Sequence, residues 1–345
     1  MKKSFILLGL AVAAMTSCTN EEVLSELQEN QKAISFDTFV NKATRAVSAA
    51  GSTTNDIAKF YAYAYYEKSN ATTTVFSGNP VTKDGSAWGY TGGDKYWTKN
   101  VYEFAAYANG NSADAVANVG FEDETLTIPS YTVGTADLVA DVIEKDNKNG
   151  IVSGENVQFT FKHLLTKLQF KVVNTDSKYD MRITDLVING AKNVGTCNVT
   201  ASGATWTPST TATATTYTPI DNNATGDYIT KVDNDTDKDQ VVSAEFFVMP
   251  QDLANVTFSI VADFYDADNQ IVGTKTFNAV SIVNKDENKQ DVEEWEPGTF
   301  YVYTLQLPIA AKPIIFGQPT VNGWGNARTI ELNPGDDDGS NGTTN

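Results

Sequence analysis

Reactive side chains are sparse in this sequence, so their spacing decides what chemistry is open to it. His163 is the sole histidine, which rules out a His-rich metal site built by this chain alone. It alternates with Phe159, Phe161, Leu165 and Lys167, and no Ser or Cys nucleophile pattern surrounds it, so it reads as a structural histidine. Of the two cysteines, Cys197 lies in Gly195-Thr196-Cys197-Asn198-Val199 and reads as a small buried strand residue, not a reactive thiol. Asp233-Asn234-Asp235-Thr236-Asp237 begins like a calcium loop. The sixth position is Lys238 where glycine is needed, and the twelfth is Ala244, so a solvated hairpin is expected. Asp263, Asp266 and Asp268 surround a turn and are read as solvated too, a site for weak cation binding at most. With 43 acidic residues, paired carboxylates are too common to signal glycoside hydrolysis. Gly92-Gly93 lacks the strand-to-helix setting of a phosphate loop. The aromatic runs at 60–66 and 96–107 would make a sugar platform if exposed, but their spacing fits core packing better. No catalytic residue, metal site or cofactor is expected, and the chain is read as a non-enzyme.

The other cysteine stands in a more informative place. Met1-Lys2-Lys3 supplies a charged start and Phe5 to Met15 an apolar run. That run is far short of the roughly 20 residues a membrane helix needs, but it suits a secretory signal. Small polar residues and then Cys18 follow, so residues 1–17 are expected to be a signal peptide and Cys18 the point of lipid attachment. The alternative is an ordinary signal with an incidental cysteine. Lipid on the thiol and on the new amino terminus gives at least two chains, enough for stable anchoring where a single chain gives only marginal binding. Residues 19–32 read as an acidic tether. In residues 33–41, Ile34, Phe36, Thr38 and Val40 fall on one face of a predicted strand. Residues 42–56 are small and polar, hence a linker, and within it Arg45-Ala46 is a protease-sensitive bond. Its alternative is a solvated linker residue that is never cut.

These segments need a fold to act on. The chain has 345 residues and hydrophobic residues make up 41%, enough for two domains with sizeable cores. A net charge of -18 argues against nucleic acid and against docking on anionic lipid. Strand-favouring Thr, Val, Tyr and Phe dominate and helical spacing is scarce, so an all-β chain is expected. Residues 59–66 and 101–108 are apolar on both faces, as central strands are, and further strands are read at 121–128 and 138–143. Asn147 to Gly150 and Ser153 to Glu155 mark a break. Residues 157–174 then form a long strand-like stretch read as a domain crossover. Further strands are read at 183–188, 195–200, 245–251, 256–265, 299–307 and 314–324. Thr205 to Thr218 reads as exposed strand or loop. The expected division is a tether plus first strand at 18–45, one β-sandwich at 46–155, a second at 156–332 and a disordered acidic tail at 333–345.

Several of these pieces together resemble the fimbrillin family, the Bacteroides-type pilus subunits and their Mfa-like surface lipoprotein relatives. The residues that carry the resemblance are Met15 to Cys18, the Ile34 to Val40 strand ending near Arg45, Phe161-Lys162-His163 through Val172, Val248-Met249-Pro250-Gln251, Trp295-Glu296-Pro297-Gly298 with Tyr301 to Leu307, and Val321 to Trp324. Asn20-Glu21-Glu22 is similar to the acidic export signal of lipoproteins in that group. The resemblance implies two tandem transthyretin-like β-sandwich domains. It implies delivery to the outer membrane surface through the lipid anchor, cleavage by a trypsin-like or Arg-specific protease after Arg45, loss of the strand holding Ile34, Phe36, Thr38 and Val40, and polymerisation by strand exchange with other pilin subunits, homo- or heteropolymeric. Adhesion to a host or bacterial surface receptor would follow. Candidate donor strands are Ile314 to Trp324, with Ile314, Phe316, Val321 and Trp324 as its plugs, or Arg328 to Leu332. Stalk, tip and anchor roles all stay open. The competing reading is a lipid-anchored surface adhesin or glycan-binding protein that does not polymerise.

Overall fold

A computed structural model describes residues 32–40, 57–85, 87–110, 114–150, 155–174, 178–220, 240–282, 284–285, 291–307, 315–316 and 320–323. Every regular element among them is a strand, as expected of an all-β chain.

The first nine strands are β1 (Ser35–Val40), β2 (Lys59–Lys68), β3 (Ala71–Asp84), β4 (Ala87–Tyr90), β5 (Val101–Asn109), β6 (Gly120–Glu122), β7 (Thr125–Thr132), β8 (Leu138–Asp146) and β9 (Asn156–His163). Seven of them form one sheet in the order β1-β9-β8-β5-β2-β3-β4. Apolar side chains on both faces of β2 and β5 have a direct cause. Phe60, Ala62 and Ala64 of β2 face one core with Tyr102, Phe104 and Ala106 of β5. Tyr61 and Tyr63 face another with Ala105 and Tyr107. The first core lies within the curl of the sheet itself, where β1 at one edge comes close to β4 at the other. The second lies between this sheet and a four-stranded one, β13-β12-β7-β6.

That second sheet draws on distant sequence. After β10 (Thr166–Asn174) and β11 (Asp180–Ala191), the chain returns to the first sandwich as β12 (Val194–Thr200) and β13 (Gly203–Pro208), with β12 pairing β7. It then departs again through β14 (Thr215–Ile220), β15 (Gln240–Val242), β16 (Phe246–Val248), β17 (Gln251–Asp252), β18 (Thr257–Tyr265), β19 (Ile271–Ser281), β20 (Asn284–Lys285), β21 (Asp291–Val292), β22 (Glu294–Trp295), β23 (Thr299–Leu307), β24 (Ile315–Phe316) and β25 (Thr320–Gly323). A β14-β11-β18-β19 sheet packs here on one built around β10 and β23, enclosing Phe170, Phe258, Ile260 and Tyr303.

The stretch 157–174 is two strands, not one. Leu164 and Leu165 turn the chain from β9 in the first sandwich into β10 in the second, as a crossover should. β8 and β9, on either side of the break expected at 147–155, pair antiparallel within one sheet. β9 therefore belongs with the first sandwich, and β12 and β13 join it. Fixed backbone at Gly190 helps the exit from β11: its φ is +85° and an added Cβ would lie 2.0 Å from the Asn255 carbonyl oxygen.

One strand residue carries a charge at odds with its setting. Glu103 of β5 stands opposite Glu144 of β8 and Tyr65 of β2. Burial, and then the nearby Glu124 and Glu144, push its carboxyl up to about 7 from 4.5. A raised carboxyl pKa means the folded state binds the proton more tightly than the unfolded chain does. The resulting penalty is absent below the ordinary carboxylate range and complete above the folded value. Stability of the first sandwich should therefore decline as pH rises from about 4.5 to about 7. Glu103→Gln should flatten that decline, as read by urea unfolding at a series of pH values. An unchanged slope would remove Glu103 as its source.

Candidate functional site: the N-terminal edge strand and its groove

The alternation Ile34-x-Phe36 predicts a strand with one apolar face, and β1 is that strand. It runs parallel to β9, with Ser35 opposite Asn156 through to Val40 opposite Phe161. The Ser35 hydroxyl donates to Asn156 Oδ1 at 2.5 Å. Ile34 and Phe36 are 1% and 3% exposed, Thr38 is half-buried, and Val40 is placed by its backbone alone.

Phe36 plugs the curl of the sheet. Its ring lies 5.2 Å from Phe76, 5.8 Å from Phe60 and from Tyr90, all edge-on, and 5.9 Å from Phe159 in a stacked arrangement. Such pairs add about 0.5–1.5 kcal/mol each beyond the area they bury. Burial of Ile34 and Phe36 contributes about 1.5–3 kcal/mol apiece. Without β1, an apolar trough floored by Phe60, Phe76 and Phe159 would open to water.

A strap holds the start of β1. Trp97 N donates to Lys32 O at 3.2 Å and Ile34 N to Lys95 O at 2.7 Å. The Tyr90 hydroxyl donates to Ile34 O at 3.0 Å while accepting from Lys95 N at 3.1 Å. Burial raises the pKa of this phenol, which keeps its proton for the bond. In sequence Tyr96 and Trp97 read only as the head of the aromatic run at 96–107, which gives no sign of the strap. Gly92-Gly93, both at positive φ, was the available signal for a chain reversal there.

The ladder on the inner side of β9 is short. β8 meets β9 in two register pairs, Val139 with His163 and Ala140 with Lys162, against six between β1 and β9. Farther along, Asp141 substitutes for a strand: its carboxylate accepts Thr160 N at 2.7 Å as well as Val142 N at 3.0 Å. Burial of Asp141 raises its pKa.

Other sequence-predicted sites fall as follows. Cys18, Arg45, Ala46, Ile314 and Trp324 lie outside the described residues, as does Asp233 to Asp237. Phe316 and Val321 sit in β24 and β25, which pair antiparallel with β23, Phe316 opposite Leu305 and Val321 opposite Tyr301. Cys197 is fully buried and its thiol is pushed up to about 12 by that burial, as fits an inert core residue. His163 Nδ1 meets Asp137 Oδ2 at 2.5 Å inside the fold. Asp266 Oδ1 accepts the amides of Asp268 and Gln270 and is occupied in shaping its turn. Among the described residues, no group of three or more His, Cys, Asp or Glu is arranged to hold a metal. The aromatic runs lie mostly in the two cores of the first sandwich.

Paired β-sandwiches, the first finished by a strand from the head of the chain, define an all-β sandwich protein. The chain belongs to the fimbrillin-like family, whose sequence profile matches residues 44–324. A fimbrial protein from Bacteroides vulgatus ATCC 8482 shares the fold at a TM-score of 0.57 and 18% identity, with 86% of this chain and 100% of that one covered. A candidate cell adhesion protein from Bacteroides uniformis ATCC 8492 aligns at 0.48 and 17%, covering 86% and 98%. The fimbrial anchor protein Mfa2 from Porphyromonas gingivalis aligns at 0.36 and 11%, covering 85% and 98%. No curated protein sequence matches. Family membership implies a place at the cell surface or in a fimbrium, assembly with other pilus subunits, and a structural role.

Phe36→Ala should cost the first sandwich about 3–5 kcal/mol, and Tyr90→Phe about 0.5–1.5 kcal/mol. Native-state hydrogen exchange should show protection lost first at residues 156–161, with β10 and β23 unaffected. Unchanged protection at 156–161 in Phe36→Ala would mean that β9 does not depend on β1.

Proposed function

We propose that this chain is a surface-exposed lipoprotein pilin or pilus-associated subunit, lipidated at Cys18 and matured by cleavage after Arg45. The observation that carries the reading is the position of β1. Among the described residues it is an edge strand, bonded by a ladder on one side only, that covers an apolar trough. Its link to β2 is the segment 41–58, which contains Arg45-Ala46. A cut there by a trypsin-like or Arg-specific protease severs β1 from the rest of the fold. Departure of β1 leaves unpaired N–H and C=O groups on β9 beside Phe60, Phe76 and Phe159, an edge that demands a partner. A strand from another subunit satisfies both needs. Head-to-tail addition of this kind gives an open polymer at the cell surface. Two transthyretin-like domains are the form we infer for the sandwiches.

One observation favours the second reading, a lipid-anchored adhesin or glycan-binding protein that stays monomeric. Phe316 and Val321 already pair within their own sheet. A donor built from that segment would have to leave β23 first, which makes Arg328 to Leu332 the better donor if the chain polymerises.

Trypsin treatment of the purified proprotein, followed by gels and electron microscopy, separates the two. Filaments or ladders should appear only after cleavage at Arg45, and Arg45→Ala should block them with the fold intact. A monomer that persists after complete cleavage would sink strand exchange. Cys18→Ala should move the protein from the membrane to the soluble fraction; retention in the membrane would exclude the lipid anchor.

A further inference from the structure

A second concave surface lies where the sandwiches meet, away from β1. It encloses about 680 Å³, within the range of peptide and small-ligand sites. One wall comes from β13, with Trp206 and Pro208. The other comes from the β17–β22 pair and its flanks, with Pro250, Asp252, Glu294, Glu296 and Pro297.

The wall chemistry is one-sided. Asp252 and Glu294 are direct partners across the β17–β22 ladder. Like charges placed opposite each other weaken a sheet, so this pair costs stability where it stands. Glu296 adds a third exposed carboxylate, and no Lys or Arg is among the described lining residues. Several of the donors present are already spent. Prolines have no N–H. The Trp206 indole N–H is spent on Leu164 O at 2.7 Å, which with Tyr131 at 6.0 Å fixes the ring. The Gln251 amide group is spent on Lys192 O and Met249 O. Glu296 N donates to the Tyr301 hydroxyl at 3.3 Å, and the Thr205 hydroxyl faces Asn198 O at 3.5 Å.

A surface of acceptors with a fixed aromatic ring repels phosphate, sulfate and uronic acids. Neutral sugars bring no positive charge to meet the three carboxylates. Lysine and arginine bring donors only, and both favour an aromatic face. We propose that this cleft binds an extended Lys- or Arg-bearing peptide segment of another protein. Glu294 and Glu296 would take the charged heads, with Asp252, whose Oδ1 also accepts Ala254 N at 2.8 Å, adding its remaining oxygen, and Trp206 would lie against a side-chain stem. The site is independent of β1, and its test reads no filament, so it stands or falls separately from strand exchange.

The test is fluorescence anisotropy of a labelled oligo-arginine peptide titrated with the intact proprotein at about 0.15 M salt, where long-range attraction is screened. The Asp252→Asn, Glu294→Gln, Glu296→Gln triple variant alters only exposed side chains and should bind about tenfold more weakly. A control triple at exposed, remote carboxylates, Glu67→Gln, Glu122→Gln and Glu155→Gln, removes the same charge and should bind like the parent. Trp206→Phe should weaken binding without shifting its salt dependence. Equal weakening by the control triple would reduce the effect to net charge and overturn the proposal. So would displacement of the label by a neutral malto-oligosaccharide.

Discussion

β9 has to be held from both sides, and only one side of it is well held by its own sheet. Two register pairs join it to β8, and a buried aspartate stands in for part of a third partner. The six pairs to β1 supply the rest. Phe36 couples this backbone requirement to packing, because the same residue that continues the ladder fills the space among Phe60, Phe76, Tyr90 and Phe159. Hydrogen-bond satisfaction and core closure in the first sandwich thus converge on one short strand. Parallel pairing also explains why β1 needs no turn onto β9: its partner is the last strand of the sheet, reached only after the chain has built everything between.

The second sandwich repeats that relation with a different outcome. Its first strand, β10, runs parallel to β23, late in the chain, as β1 does to β9. β10, however, is flanked on its other edge by β15 and β16, and β23 by β24 and β25. Both members of that pair sit inside the sheet. β1 has a strap at its start and Tyr90 beside it, but no strand ladder along its outer edge among the described residues. Equivalent topology therefore yields one fixed strand and one that a single backbone cut could set free.

Much of this was legible in the residues and some was not, for definite reasons. The alternation of Ile34, Phe36 and Thr38 is a local pattern, so β1 could be read directly. The doubly apolar β2 and β5 could be read for the same reason, since each packs on both faces. β3 and β19 escaped notice because their outward residues are Thr, Ser, Lys and Gly, which mask a strand that packs on one side or sits at an edge. The return of β12 and β13 to the first sandwich follows from pairing between Cys197 and Ile128, a choice no local period encodes. The cleft was equally hidden, because Trp206, Asp252 and Glu294 come from strands far apart in sequence. Nothing local marks Asp252 and Glu294 as a pair; only the strand register sets them face to face.

The parallel sense of the β1–β9 pair has a mechanical side. The chain enters β1 at one end of the ladder and leaves β9, through Leu164 and Leu165, at the opposite end. Tension between the segment before Lys32 and the second sandwich would pull the two strands along each other in shear. All six register pairs would then share the load together, whereas an antiparallel hairpin pulled at its open end gives way one bond at a time. An edge strand that is open to replacement is in this geometry also a strong mount under tension.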